Sequence, residues 1–280
     1  MDNRNRYLSL LKETLTFSLW PEPLVPVETF NYKRPWFKRT ILRALSAFAD
    51  IANQLVAPDR LVLAVERSLM DEQRRLGMHW PLFAHTMLGL ERLDNLQNCI
   101  ESVYHDDIEG DFIETGVWRG GGTIFMKALV EAYNDSTRRV FVADSFEGLP
   151  KPNAKVFPHD RADTLYQDSF LSITLEEVTN NFRRYGLLDE RVIFIKGFFA
   201  DTMAKAPIEK LSILRLDGDM YESTFVVLSN LYPKLSVGGY CIIDDWALPA
   251  CQQAVKDYLA AHDIEVQILE IDSIGAFWRK

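Results

Sequence analysis

One stretch of the sequence restricts the fold more than any other, the run GDFIETGVWRGGG at residues 110–122. Asp111–Ile113 has the composition of a short buried strand, and the apolar residues of Thr123–Tyr133 recur at helical spacing. Glycines in the intervening turn permit positive φ angles and let a backbone approach a ligand closely. The N-terminus of the following helix adds unpaired N–H groups and the positive end of the helix dipole. This order of strand, glycine turn and helix predicts a cofactor site on an α/β fold.

The spacing within the turn narrows the choice of cofactor. Glu114, Gly116 and Gly120 form the pattern E-x-G-x-x-x-G. The dinucleotide fingerprint G-x-G-x-x-G places its glycines differently. An acidic residue before the first glycine suits a ligand that carries an amine, and S-adenosylmethionine has both an ammonium group and a cationic sulfonium. We therefore predict that S-adenosylmethionine is bound by Glu114, Thr115, Gly116 and Gly120.

Composition excludes several classes of protein. The chain has 280 residues, 48% of them apolar, which suits one large domain with an appendage. Its net charge of −9 argues against a nucleic-acid partner, because phosphate binding needs a basic face. The odd number of cysteines, without metal-ligand spacing, indicates reduced thiols in a cytoplasmic protein. We expect no signal peptide and no membrane span, because no run approaches the ~18–20 apolar residues that a span needs.

The chain changes character near residue 110. Residues 1–109 show helical periodicity with few turn signals and are predicted to form a helical extension. Residues 110–280 alternate between strand and helix patterns, which predicts a cofactor-binding domain with a mostly parallel sheet. The predicted helices are Leu8–Phe17, Phe37–Ala57, Arg60–Leu76, His85–Tyr104, Thr123–Tyr133, Leu175–Tyr185, Ser223–Leu231 and Cys251–Ala261.

Seven segments of the second part have strand character. They are Asp111–Thr115, Arg139–Asp144, Val192–Lys196, Ser212–Leu216, Gly239–Ile243, Val266–Ile271 and Ala276–Arg279. The last two are separated by only a few residues, so we expect them to be antiparallel, because a parallel crossover needs a dozen or more. A sheet of this kind is the methyltransferase variation on the Rossmann-like plan, in which ligands bind beyond the carboxyl ends of the strands.

The ends of the second and third strands carry candidate cofactor contacts. Asp144 and Ser145 end the second strand, where an acid commonly takes the ribose hydroxyls of a nucleoside ligand. The alternative for Asp144 is a turn or helix-cap residue. Gly197 and Phe198 follow the third strand, where a glycine admits the adenine and a phenylalanine stacks on it. The alternative for Phe198 is a core aromatic residue.

Two pairs of carboxylates follow the next two strands. Asp217 and Asp219 flank Gly218, and residues two apart in extended backbone share a face. Asp244 and Asp245 follow the fifth strand. Carboxylates packed together repel, and a hard divalent cation such as Mg²⁺, or Mn²⁺ with the same oxygen ligands, relieves that repulsion. Solvated loop acids or helix caps are the alternative, but two pairs at adjacent strand ends favour a metal site.

Two further segments are candidates for covering the site. The segment His85–Met87 precedes the sheet and could fold over the cofactor, which makes Thr86 a further candidate contact. The segment Glu147–Ser172 is long and contains aromatic residues, which favours a substrate lid. The other histidines are scattered, and no Ser-His-Asp set or zinc-type Cys/His cluster is apparent.

Several of these segments together resemble the macrocin O-methyltransferase (TylF-like) family. The matching segments are GDFIETGVWRGG, VADSFEGLP, LRLDGDMYEST and IIDDW, with TMLGLERLDNLQNCIESV upstream, within about residues 70–280. The resemblance implies a class I, seven-stranded methyltransferase fold that uses S-adenosylmethionine and magnesium. It implies methylation of a hydroxyl, typically on the sugar of a natural product or on a nucleotide sugar. It also implies a homo-oligomer, a general base at Asp219 and metal ligands at Asp217, Asp244 and Asp245.

Three alternatives remain open beside this interpretation. A nicotinamide-dependent oxidoreductase shares the strand–glycine–helix pattern, but the glycine spacing and the carboxylates speak against it. A catechol-type methyltransferase acting on a phenol of a polyketide or peptide aglycone needs the same metal and cofactor. A non-catalytic S-adenosylmethionine-binding subunit would keep the fold, although four intact acids argue against lost catalysis.

Overall fold

The computed structural model describes residues 2–21, 23–27, 35–53, 62–66, 71–78 and 80–280. Its helices are α1 (Asn3–Leu15), α2 (Trp36–Asn53), α3 (Asp71–Arg75), α4 (Leu90–His105), α5 (Gly121–Ala132), α6 (Leu175–Arg184), α7 (Phe199–Thr202), α8 (Tyr221–Leu231) and α9 (Pro249–Ala261). Its strands are β1 (Val25–Pro26), β2 (Ala64–Val65), β3 (Asp111–Thr115), β4 (Val140–Asp144), β5 (Val192–Lys196), β6 (Leu211–Leu216), β7 (Leu235–Ile243), β8 (Leu269–Glu270) and β9 (Ala276–Arg279).

Contacts divide the chain into two compact units. One comprises residues 1–18 and 74–280, and the other comprises residues 19–73. Both α1 and α4 pack against α5 within the first unit. The boundary between a helical extension and a cofactor-binding domain at residue 110 stays a prediction.

The larger unit is built on a seven-stranded sheet of order β5-β4-β3-β6-β7-β9-β8. Strands β3 to β7 pair in parallel, whereas β9 pairs antiparallel with both β7 and β8. The predicted seven-stranded sheet with an antiparallel last strand is therefore confirmed. The strand order reverses between β3 and β6, and a crevice for ligands forms at such a switch point in an open α/β sheet.

Each face of this sheet is covered by helices. Phe112 and Ile213 belong to a core that includes residues of α1, α4 and α5, and this side is called here the α5 face. Ile113 and Leu214 belong to a second core with residues of α8 and α9, called here the α8 face. Burial on both faces explains why the central strands are apolar almost throughout, as parallel sheets of α/β proteins are. Two buried charged residues inside the central strands, Glu114 of β3 and Arg215 of β6, are treated with the site.

The second unit contains α2 and a short antiparallel pair. Val25 of β1 pairs with Val65 of β2, and Pro26 pairs with Ala64. In α2 the apolar side chains are largely exposed, with Trp36 and Phe48 each at 72%.

Three sequence predictions differ from the structure. The predicted helix Arg60–Leu76 is confirmed at Asp71–Arg75 and wrong at residues 64–65, which form β2. The other residues of its first part, 60–61 and 67–70, lie outside the described residues. The predicted helix His85–Tyr104 begins later, at Leu90, because the backbone of His85 bonds to other elements and Gly89 is extended. The predicted strand Val266–Ile271 is reduced to Leu269–Glu270.

Two predictions from composition were also compared with the structure. Among the described residues, no helix is long and apolar enough to cross a membrane. Cys99, Cys241 and Cys251 are free, as predicted, and all three are buried. Burial raises the pKa of each thiol, which keeps these groups protonated.

Candidate active site

A cavity opens beyond the carboxyl ends of β3, β4, β5 and β6, at the switch point of the sheet. The predicted site residues that line it are Thr86, Glu114, Gly116, Asp144, Ser145, Phe198, Asp217 and Asp219. The remaining predicted residues are not part of this lining: Thr115, Gly120, Gly197, Asp244 and Asp245. Most of the predicted residues thus surround one cavity, as expected from their positions at the ends of parallel strands.

The turn after β3 requires glycine for two reasons. Gly116 has a φ of +87°, and a Cβ there would lie 1.6 Å from the backbone oxygen of Asp217. The same close approach lets the Asp217 amide donate to the Thr115 carbonyl at 2.8 Å. The Thr115 side chain is 1% exposed, and its hydroxyl donates to the Arg215 carbonyl at 3.4 Å. Thr115 therefore joins β3 to β6 and does not face the cavity.

The three glycines that open α5 each make room for a different neighbour. Gly120 is left-handed and precedes the first residue of the helix. The Gly121 amide donates to the His85 carbonyl at 2.9 Å, which holds the segment 85–88 against the helix. A Cβ on Gly122 would lie 2.3 Å from Oε1 of Glu114. No role was predicted for Gly122, yet its missing side chain is what leaves space for the Glu114 carboxylate.

Glu114 is a buried carboxylate with one oxygen unsatisfied. It is 2% exposed, and its Oε1 accepts from the Arg215 guanidinium at 2.5 Å. Burial raises its pKa to about 7, although Arg215 and the Thr123 amide favour the charged form. Oε2 completes no hydrogen bond of ordinary geometry within the described chain. A ligand that donates a hydrogen bond to Oε2 would remove this unfavourable state.

Asp144 organises two turns at the end of β4. Its Oδ2 accepts from the Val117 amide at 2.8 Å, and its Oδ1 accepts from the Phe146 amide at 2.8 Å. Burial raises the pKa of Asp144 against the effect of these two amides. The turn role that was weighed against ribose binding is thus present, and Asp144 lines the cavity as well. The Ser145 hydroxyl donates to the Gly148 carbonyl at 2.6 Å. Toward a ligand, this hydroxyl can therefore act only as a hydrogen-bond acceptor while that bond is kept.

The end of β5 brings aromatic side chains to the cavity. Phe198 and Phe199 both belong to its lining, whereas Gly197 does not. Gly197 has a φ of +135°, and its amide donates to the Asp144 carbonyl at 2.9 Å. This glycine therefore turns the chain beside β4. Phe199 was not predicted, because nothing in the sequence indicates that two adjacent aromatic side chains both line the cavity.

Asp217 and Asp219 reach the same cavity, but not for the reason given by the sequence. The strand ends at Leu216, and Asp219 is left-handed with a φ of +57°, so the pair does not share an extended strand face. Asparagine and aspartate adopt this conformation more readily than bulkier residues. The Asp219 amide donates to Oδ2 of Asp245 at 2.9 Å, which ties the two carboxylate pairs together.

Two buried arginines, absent from the sequence predictions, contact the acids on the α5 face. Arg215 of β6 is 2% exposed and donates to Glu114, to Asp217 at 3.1 Å and to Asp244 at 2.5 Å. Arg92 of α4 donates to the other oxygen of Asp244 at 2.7 Å. A divalent cation was expected to relieve the repulsion among the acids, and the two arginines already supply positive charge at Asp244 and, through Arg215, at Asp217. The signal was present in the sequence, because Arg215 interrupts the otherwise apolar strand LSILRL.

The electrostatic state of the acids follows from these contacts. Burial opposes ionisation of Asp244, but Arg92 and Arg215 outweigh it and hold the Asp244 pKa below its usual range. Burial, Asp244 and Asp245 raise the pKa of Asp217 well above normal. Burial, followed by Asp217 and Asp163, raises the pKa of Asp219 to about 8.

Three of the acids are close enough to share a cation. One oxygen from each of Asp217, Asp244 and Asp245 lies within 4.8 Å of the others. Burial and Asp219 raise the pKa of Asp245 as well. A bound cation would favour the charged forms of these groups. The donor set consists only of hard oxygen atoms, which suits Mg²⁺ or Mn²⁺.

The segments expected to cover the site are both in place around the cavity. Thr86, Met87 and Leu88 line it, whereas the His85 ring instead contacts the Tyr185 hydroxyl at 2.7 Å. Burial, Arg119 and Arg184 lower the pKa of His85 to about 4. The segment 147–172 contributes lining at both ends, with Gly148–Pro150 at one and Leu171 at the other. Its opening and closing as a lid stays a prediction.

Comparison with known proteins identifies the family. A profile of the macrocin-O-methyltransferase (TylF) family matches residues 4–280. The 8-demethyl-8-(2,3-dimethoxy-alpha-L-rhamnosyl)-tetracenomycin-C 4'-O-methyltransferase of Streptomyces olivaceus is 44% identical over 279 residues, 99% of this chain and 94% of that protein. The mycinamicin III 3''-O-methyltransferase of Micromonospora griseorubida is 47% identical over 221 residues, 78% of this chain and 87% of that protein.

A solved structure extends the comparison to the fold. The O-methyltransferase NovP superposes with a TM-score of 0.82 at 37% identity, covering 99% of both chains. The likeness thus includes the described parts of both compact units and the sheet that carries the site. The chain belongs to the macrocin O-methyltransferase (TylF) family of S-adenosylmethionine-dependent O-methyltransferases.

Proposed function

We propose that this enzyme methylates a sugar hydroxyl of a glycosylated natural product, in the biosynthesis of an antibiotic-type secondary metabolite. The observation that carries the proposal is the 44% identity over 99% of the chain with an enzyme named for a rhamnosyl-tetracenomycin acceptor. A second relative is named for a 3''-oxygen of mycinamicin III. A cytoplasmic location and a homo-oligomeric state belong to the same proposal.

The cofactor is proposed to lie along the ends of β3, β4 and β5. The unsatisfied Oε2 of Glu114 would accept from the methionine ammonium, since a buried acceptor gains most from a charged donor. Asp144 would take the ribose hydroxyls with the lone pairs that its two turns leave free. Phe198 would stack on the adenine. Gly116 and Gly120 keep the turn close enough for the cofactor to approach the backbone.

A divalent cation is proposed at Asp217, Asp244 and Asp245. Their oxygens lie within 4.8 Å of one another, and hard oxygen donors are the ligands that Mg²⁺ and Mn²⁺ take. Asp244 can contribute although both its oxygens accept from arginines, because each carboxylate oxygen has a second lone pair. When bound, the cation would supply Lewis-acid polarisation of the acceptor oxygen.

Asp219 is proposed as the general base. It lines the cavity beside Asp217, and its backbone is fixed by the hydrogen bond to Asp245. Proton removal by a positioned carboxylate contributes typically about 10²–10⁴-fold to a rate. The sulfonium of the cofactor is already a good leaving group, so what the chain must do is align the acceptor oxygen and take its proton.

The decisive experiment is a methyl-transfer assay with S-adenosylmethionine and Mg²⁺. Its acceptors are the glycosylated compound of the tetracenomycin relative, mycinamicin III, and the corresponding aglycones. We expect transfer only to the glycosylated compounds, with NMR placing the new methyl on a sugar oxygen. Methylation of an aglycone phenol would favour the catechol-type alternative. Binding of S-adenosylhomocysteine without transfer to any acceptor would favour the non-catalytic alternative.

The metal requirement is tested in the same assay. Chelation by EDTA should abolish transfer, and Mg²⁺ or Mn²⁺ should restore it. Asp245→Asn should weaken metal binding measured by calorimetry, whereas Asp111→Asn is the matched control at the opposite end of the sheet, where Asp111 contacts Arg139. Full activity after exhaustive chelation would refute the metal part of the proposal and leave the acceptor part standing.

A further inference from the structure

Asp160 is a buried acid that the proposed chemistry does not use. It lies within the segment 147–172 and is 1% exposed. Its Oδ1 accepts from the Tyr221 amide at 2.7 Å, and its Oδ2 accepts from the Glu222 amide at 3.0 Å. These are the first two amides of α8, whose own N-cap residue, Met220, makes no side-chain cap hydrogen bond. A carboxylate from far upstream in the sequence therefore caps this helix.

The capped end of α8 carries the proposed base. Only Met220 separates Asp219 from the first residue of the helix, and the Met220 amide bonds back to the Gly218 carbonyl. Asp219 is left-handed, and its amide is held in place by Oδ2 of Asp245. Fixing the first turn of α8 therefore fixes the position of Asp219.

The segment around Asp160 is packed onto the same turn. Pro158–Asp160 forms one turn of 3-10 helix, and the His159 ring stacks on the Tyr221 ring at 5.1 Å. Asp163, whose amide donates to the Asp160 carbonyl, lies close enough to Asp219 to act on it electrostatically. Both ends of the segment line the cavity. Asp160 thus joins the middle of the segment to the turn that carries the proposed base, while Trp118 holds the segment at Phe170.

We propose that Asp160 is a positioning residue for methyl transfer: it fastens the segment 147–172 to the first turn of α8 and so holds Asp219 in register with the acceptor. This inference rests on the proposed function. It differs from simple helix capping, because a cap alone stabilises α8 without affecting how the acceptor is bound. The cofactor contacts at β3 and β4 lie on other elements and should not depend on Asp160.

The test compares Asp160→Asn with a matched loss of a helix cap. An asparagine side chain has nearly the same volume, but it offers only one acceptor oxygen and turns an N–H₂ toward the helix end. The control is Thr174→Ala, which removes the side-chain cap of α6 at the Glu177 amide. For Asp160→Asn we expect kcat/KM for the methylated acceptor to fall at least about tenfold, with the S-adenosylhomocysteine Kd changed less than about twofold. For Thr174→Ala we expect neither constant to change beyond about twofold, because neither Thr174 nor the α6 helix that it caps belongs to the lining of the cavity.

A second readout does not depend on activity. Arg161 is exposed beside the anchor, so limited trypsin digestion of the S-adenosylhomocysteine-bound protein reports release of the segment. We expect cleavage after Arg161 to be at least about tenfold faster in Asp160→Asn than in wild type and unchanged in Thr174→Ala. If Asp160→Asn does not fold, Asp160→Ser retains a capping oxygen and is measured in the same way.

The outcomes separate this inference from the proposed function. Wild-type activity with unchanged kcat/KM and unchanged cleavage in Asp160→Asn would overturn the positioning role. Equal losses of acceptor turnover and of cofactor affinity would also overturn it, because they indicate a general structural effect. Absence of methyl transfer in wild type, with normal cofactor binding, would count against the proposed function, whereas the digestion would still test the anchor.

Discussion

The acids of the candidate site have different hydrogen-bond partners on the two faces of the sheet. On the α5 face, Glu114 and Asp244 contact the buried guanidinium of Arg215, and Asp244 also contacts Arg92. On the α8 face, Asp245 accepts its hydrogen bond from the backbone amide of Asp219. Neighbouring residues, Asp244 and Asp245, thus have opposite surroundings.

The different surroundings shift the pKa values of these acids in opposite directions. The pKa of Asp244 is lowered, because its two arginines outweigh the effect of burial. The pKa values of Asp245 and Asp219 are raised by burial and by neighbouring acids. Perturbed acids in a cleft are a feature of functional sites, whereas paired buried charges are a feature of structural networks as well. Asp244 therefore belongs to a paired charge network, whereas Asp245 and Asp219 are acids whose pKa values the surrounding chain raises.

The largest expected effect is on turnover, from Asp219→Asn. Asparagine tolerates the left-handed backbone and keeps the amide bond to Asp245, so only the base is removed. We expect kcat to fall by about 10²–10⁴-fold, with cofactor affinity unchanged. The control is Asp201→Asn, an exposed acid on α7. Wild-type turnover in Asp219→Asn would show that Asp219 is not the base, and would contradict the inference that the acids with raised pKa values take part in the reaction.

The next largest effect is on folding, from Asp244→Asn. The substitution leaves Arg92 and Arg215 without part of their buried counter-charge. Loss of one member of a buried ion pair costs about 3–5 kcal/mol, and chemical denaturation of the metal-free protein should show a decrease of this size. Arg183→Met, at an exposed arginine of α6, is the control. A change below 1 kcal/mol would mean that the arginines do not depend on Asp244.

A smaller effect on cofactor affinity is expected from Gly122→Ala. The added Cβ would lie 2.3 Å from Oε1 of Glu114, and the contact of that oxygen with Arg215 restrains its displacement. We expect the S-adenosylmethionine Kd to increase by about tenfold, equivalent to about 1.4 kcal/mol. Calorimetry measures this directly. Wild-type affinity in this variant would show that the Glu114 carboxylate can move without loss.

The sheet was predictable because the sequence signals that identify each strand lie within the strand or directly beside it. Apolar strands bounded by turn signals identified β3 to β7 and β9, and the short last connection identified the antiparallel pair. The helix predicted at 85–104 begins five residues later than expected, at Leu90. The His85 backbone bonds instead to Leu15 and Gly121, and no local sequence pattern indicates those bonds. At 60–76, pairing of Ala64 and Val65 with β1 overrode the helical spacing.

The acids of the candidate site could be predicted from the sequence, but the contacts of the buried arginines that shift their pKa values could not. Strand-end placement gathered Glu114, Asp144 and Asp217 around one cavity, because parallel strands end at the same edge. Arg215 was visible as a charge within an apolar strand, but its three partners become known only from the register of β3, β6 and β7. Asp160 lies far from α8 in sequence, so its capping role depends on the path of the segment 147–172.

The smallest expected effect has the opposite sign and comes from Asp245→Asn. Because burial and Asp219 raise the Asp245 pKa above its unfolded value, this carboxyl takes up its negative charge more easily in the unfolded state, and the free energy of unfolding decreases as the pH rises above about 4. Asparagine still accepts from the Asp219 amide and removes that charge. The metal-free variant should therefore be more stable than wild type by about 1 kcal/mol at pH 8 and should show no gain below pH 4, measured by denaturation in EDTA. A loss of stability at pH 8, like that expected for Asp244→Asn, would show that both faces neutralise their acids in the same way.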